Sequence, residues 1–97
     1  MIDIIKTSNT IHHIDKQQFD SHEFIKMYIK LYEKDYVEML IEKYNDSDSD
    51  EIFRRVHAQI GAYISSNQKQ LGIEWSGDVS SENIKGDITP NAQWRKL

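Results

Sequence analysis

Residues 21–44 read Ser21-His22-Glu23-Phe24-Ile25-Lys26-Met27-Tyr28-Ile29-Lys30-Leu31-Tyr32-Glu33-Lys34-Asp35-Tyr36-Val37-Glu38-Met39-Leu40-Ile41-Glu42-Lys43-Tyr44. Phe24, Ile25, Tyr28, Ile29, Leu31, Tyr32, Tyr36, Val37, Leu40, Ile41 and Tyr44 fall close to helical spacing, and no Gly or Pro interrupts them. Ser21 is placed to cap, because its hydroxyl can accept from the free amides of a first turn. One straight helix of this length would run about 36 Å at 1.5 Å per residue. That exceeds what a domain with a radius of gyration near 13 Å accommodates easily. The charged triplet Glu33-Lys34-Asp35 is the natural break, so the pattern predicts two helices near 21–33 and 35–45.

The next segment predicts a third helix. Asp48 with Glu51 three residues on has the spacing of a capping box, and the carboxylates suit the positive end of a helix dipole. Ile52, Phe53, Val56, Ile60, Tyr63 and Ile64 then mark one face, beside a small-residue strip of Ala58, Gly61 and Ala62. A helix-interior Gly costs about 1 kcal/mol against Ala, so Gly61 points to close backbone packing.

Breakers gather later in the chain. Gly61 is the first Gly and Pro90 the only Pro, with Gly72, Gly77 and Gly86 between them. Ser76-Gly77-Asp78 reads as a hairpin turn. Asn83–Ile88 reads as a third short strand, and Thr89-Pro90 as a helix opening with Thr as cap. Trp94 is expected to anchor the tail on the core, with Arg95 and Lys96 exposed. Residues 1–20 read either as two short strands, around Ile2–Ile5 and Thr10–Ile14, or as an arm packed on the helices. The expected fold is a helix-rich α+β domain spanning 1–97. Its three main helices are followed by a β-hairpin, the order of elements in many winged-helix domains.

Composition bounds the function. Ninety-seven residues suit one domain, and 38% hydrophobic with 29% charged residues suits a globular chain with a polar surface. The absence of cysteine excludes disulfides, thiolate metal sites and a catalytic thiol. No apolar run approaches the 20 or so residues of a membrane helix, and Met1–Lys6 lacks the pattern of a secretory signal, so a cytoplasmic protein is expected.

The charge is −4 overall but uneven. Residues 1–53 hold six Lys against twelve acids, leaving −6, whereas residues from Arg54 onward hold six basic residues against four acids, leaving +2. Phosphate neutralisation supplies most non-specific nucleic-acid affinity, so the candidate contacts are Arg54, Arg55, Lys69, Lys85, Arg95 and Lys96. Arg54 and Arg55, with His57 and Gln59, lie on the polar side of the third helix, as recognition-helix side chains do. The competing reading is solvated arginines paired with local acids such as Asp50 and Glu51.

Other motifs are weaker. Asp46, Asp48 and Asp50 match positions 1, 3 and 5 of a calcium loop, but Glu51 and His57 stand where Gly and Glu are needed. His12 and His13 are adjacent and His22 and His57 isolated, so no metal site is expected. No catalytic motif or phosphate loop occurs, and no cofactor is expected. Tyr28, Tyr32, Tyr36 and Tyr44 form a stripe that reads as an interaction surface or as core volume. Two functions follow: a DNA-associated, non-enzymatic regulatory protein whose acidic half mediates assembly or limits non-specific binding, or a protein-binding adaptor or inhibitor using Tyr28, Tyr32 and Tyr36.

Overall fold

The computed structural model describes residues 2–46 and 48–97, so Ser47, inside the acidic loop, lies outside the described residues. The elements run α1 (Ile4–His13), β1 (Gln18–Asp20), α2 (Ser21–Leu31), α3 (Glu33–Asp46), α4 (Ile52–Ser66), α5 (Gln68–Leu71), β2 (Ile73–Glu82) and β3 (Ile88–Lys96). The fold is α+β and helix-rich, with a three-stranded antiparallel sheet ordered β1-β3-β2. Among the described residues no helix is long and apolar enough to cross a membrane.

The long helical stretch does divide, at Tyr32. Its start is capped by Asp20 rather than Ser21. The Asp20 carboxylate accepts from the Glu23 amide at 2.8 Å, and the Glu23 carboxylate accepts from the Asp20 amide at 3.1 Å. This reciprocal box satisfies two amides that the first turn leaves free. The capping box expected at Asp48 is not formed: α4 starts at Ile52, and Glu51 makes no side-chain cap bond.

The first twenty residues are corrected most. Instead of two strands they form α1, capped by Asp3, whose carboxylate accepts from the Lys6 amide at 2.8 Å. Thr7, Thr10 and Ile11 face inward at helical spacing. The Thr7 and Thr10 hydroxyls donate to the carbonyls of Asp3 and Lys6, four residues back. With their polar atoms satisfied locally, two threonines serve as core residues, which hid the helical period.

Three expectations for the hairpin also fail. Gly77, at φ +115°, sits in a bulge within β2, where Trp75 pairs with Trp94 and Gly77 with Gln93. The turn lies further on, at Asn83–Asp87, where the Asn83 side-chain oxygen accepts from the Lys85 and Asp87 amides and Gly86 adopts φ +86°. Thr89-Pro90 opens no helix. Both residues belong to β3, and Pro90 is accommodated because β1 stops short of it, leaving that edge of β3 unpaired.

One apolar cluster fills the space between helices and sheet, built from Ile11, Phe19, Phe24, Ile25, Tyr28, Tyr36, Val56, Ile60, Ile64, Ile73 and Trp94, among others. Tyr28 and Tyr36 are buried and Tyr32 half-buried, which corrects the reading of this stripe as an interaction surface. Burial pushes the Tyr28 phenol up to about 12, and its hydroxyl has no hydrogen-bond partner among the described residues. Replacing Tyr28 with Phe is therefore expected to leave stability unchanged or raise it by about 1 kcal/mol, since a desolvated, unpaired hydroxyl is removed. A loss above 1 kcal/mol in urea unfolding would show that this hydroxyl is satisfied in solution.

Candidate functional site

Between α4 and the hairpin runs a cleft with two hollows that share His22 and His57. The first, of about 420 Å³, lies over the middle of α4 and is walled by Ile25, Gly61, Ala62, Trp75 and Trp94. A Cβ built on Gly61 would meet nothing within 4 Å, so the close backbone packing expected there is replaced by open space. Trp75 stands at this hollow with half its surface exposed, whereas Trp94 is buried and its indole N–H donates to the Ser21 hydroxyl at 3.2 Å.

The second hollow, of about 560 Å³, lies between the first turns of α4 and the hairpin turn. Phe53 presents a ring that is 38% exposed, Arg54 and Glu51 flank it, and Ile84 and Lys85 face it from the hairpin. The Lys85 ammonium stands 5.8 Å from the Phe53 ring centroid, a cation–π distance.

The two histidines are not isolated, contrary to expectation. The His22 ring bonds the Ser81 hydroxyl at 2.9 Å through Nδ1 and approaches the Thr89 hydroxyl at 3.4 Å through Nε2. The His22 amide donates to the Asn91 side-chain oxygen at 2.9 Å, which fastens the start of α2 to β3. His57 Nε2 and the Tyr36 hydroxyl are hydrogen-bonded at 2.6 Å. Burial pushes the His57 imidazole down to about 4, helped by like charge from His22 and Lys85. At neutral pH His57 is a neutral, half-buried wall of the cleft. The described residues contain no cluster of three or more His, Asp or Glu side chains placed to hold a metal ion.

The six basic candidates separate into two groups. Arg54 and Lys85 meet at the hairpin-turn end, with Arg55 the next residue along α4, and all three are exposed. Lys69, Arg95 and Lys96 lie at the opposite end, about 25 Å away at 3.3 Å per strand residue. Several are already engaged. Arg54 pairs with Glu51 at 3.2 Å, Arg95 pairs with Glu74, and the Lys96 ammonium donates to the Ile14 carbonyl. The side chains of Arg55 and Lys69 make no ion pair or hydrogen bond among the described residues. One continuous basic stripe is therefore not formed, and Trp94 anchors the tail while Arg95 beside it is exposed and Lys96 only partly so.

Phe53 and Lys85 were not candidates as a pair, because 32 residues separate them and only the fold of the hairpin back along α4 brings them together. The acids just before α4, Asp48, Asp50 and Glu51, were the one signal that this helix end stays at the surface. The chain matches no protein family, no curated protein and no solved structure.

Proposed function

We propose that this chain is a small non-enzymatic, DNA-associated regulatory module of winged-helix type, with α4 and the β2–β3 hairpin as its contact surface. The observation that carries the reading is the meeting of Arg54 on α4 with Lys85 at the hairpin turn, with the exposed Arg55 next to Arg54 in the chain. A helix followed by a hairpin whose tip returns to that helix's first turn suits backbone contact from two elements at once. The strand order β1-β3-β2 supports it by fixing the hairpin rigidly through its central strand.

A second reading, a protein-binding module, is favoured by a different surface. Val37, Ile41 and Tyr44 on α3 are exposed at spacings of four and three, so they form an outward apolar stripe. This stripe takes the place of Tyr28 and Tyr36 in that reading.

The test is fluorescence anisotropy with a labelled DNA at two salt concentrations. Three phosphate contacts predict an affinity loss of roughly 40-fold between 50 and 200 mM salt. Arg54→Glu with Arg55→Glu, both exposed and remote from the core, is expected to weaken binding at least about tenfold at 50 mM salt with the helical circular dichroism unchanged. No binding at 50 mM salt would overturn the DNA reading and leave the α3 face as the surface to test.

A further inference from the structure

Resting on the nucleic-acid reading, we infer that the hollow between Phe53 and the hairpin turn takes an unpaired nucleotide, its base stacked on Phe53 and its phosphate held by Arg54 and Lys85. At the end of the molecule where the cations meet, carboxylates stand among them and weaken what a duplex gains there without removing it. Glu51 lies 3.2 Å from the Arg54 guanidinium, Asp87 lines the same hollow, and Asp48 and Asp50 are exposed immediately before α4. A duplex carries one charge for about every 1.7 Å of its axis, so seating α4 in a groove would set several phosphates against these carboxylates.

An unpaired nucleotide asks for less. It offers one phosphate and a free π-face, and base–aromatic stacking is tolerant of sequence. Phe53 supplies such a face, with His57 beside it at a ring-centroid distance of 6.1 Å. The Lys85 ammonium now over that ring is borne on an exposed side chain, so it can leave the ring for a phosphate while the base takes its place. The volume, about 560 Å³, falls within the roughly 300–1,000 Å³ typical of ligand sites. The neutral wall formed by His57 and Ile84 suits a base better than a second phosphate.

The test compares three labelled fifteen-residue probes at 50 mM salt: oligothymidylate, oligouridylate and a duplex DNA. Oligothymidylate is expected to bind at least about tenfold more tightly than the duplex, and Phe53→Ala to weaken it about tenfold. Phe53→Trp should restore binding by returning a stacking face, and it keeps the test open if Phe53→Ala fails to fold. Oligouridylate bound equally would make the site indifferent to the sugar, and oligothymidylate bound alone would make it a DNA site. Duplex binding as tight as oligothymidylate, or Phe53→Ala binding oligothymidylate like the unaltered protein, would overturn this inference and leave the DNA reading standing. Binding of none of the probes would overturn both.

Discussion

Replacing Trp94 with Ala is expected to cost about 3–5 kcal/mol, the range seen when a buried aromatic ring is truncated. Trp94 is 2% exposed and lies in β3 directly opposite Phe19 of β1 and Trp75 of β2. Its indole N–H also reaches the first residue of α2. One side chain thus joins all three strands to the helical layer, and deleting it leaves a cavity that neighbours on four elements would have to close. A domain of this length is commonly stable by about 5–15 kcal/mol, so the loss would bring it near or into the unfolding transition at 37 °C. Urea unfolding followed by circular dichroism measures this, with Trp94→Phe expected between the two. A change below 1 kcal/mol for Trp94→Ala would show that the sheet is held to α2 by other contacts.

Acidification is expected to destabilise the protein through His57. The folded state holds this imidazole near 4, below its ordinary 6.5, because burial and the neighbouring His22 and Lys85 disfavour the charged form. In the unfolded chain His57 protonates as pH falls through 6.5, whereas the folded chain stays neutral until about 4. The unfolded state therefore binds the extra proton within that window. The contribution is fully present above pH 6.5, declines as pH falls toward 4, and is gone below it. Allowing for the part of the ring that faces water, the loss is about 1–2 kcal/mol. His57→Gln keeps a polar partner for Tyr36 and does not titrate. Its stability should therefore fall less than that of the unaltered protein between pH 7.5 and 4.5. Equal falls would locate the acid sensitivity in groups other than His57.

The α2–α3 helical stretch was legible because its apolar spacing is a local property, and that spacing marked the core residues Phe24, Ile25, Tyr28 and Tyr36. The break, however, falls at Tyr32, and the charged triplet Glu33-Lys34-Asp35 forms the first turn of α3. What failed to show depended on partners. Thr7 and Thr10 look polar in isolation and become core only after their hydroxyls bond within α1. Ser76-Gly77-Asp78 has turn chemistry, yet the strand continues through it, since a bulge uses the same left-handed Gly that a turn does. Pro90 reads as a helix start until one knows that β1 ends before reaching it. Of the site, Arg54, Arg55 and Lys85 were recognisable by charge alone. The meeting of Arg54 with Lys85, and the exclusion of Lys69, Arg95 and Lys96 from it, follow from where the hairpin turns. Phe53 was read as one more residue of an apolar face, although it lies at that face's open end.

The position of β3 has a consequence for how the protein is made. It is the central strand, pairing with β1 through Gln18↔Arg95, Phe19↔Trp94 and Asp20↔Gln93, and with β2 along nearly its full length. Both of its neighbours precede it in the chain. While a ribosome is still synthesising residues 88–96, β1 and β2 have no sheet to join, and Phe19 and Ile73 lack the strand that covers them. That apolar surface stays without its central strand until β3 emerges, so the sheet cannot be completed before the last residues of the strand are made.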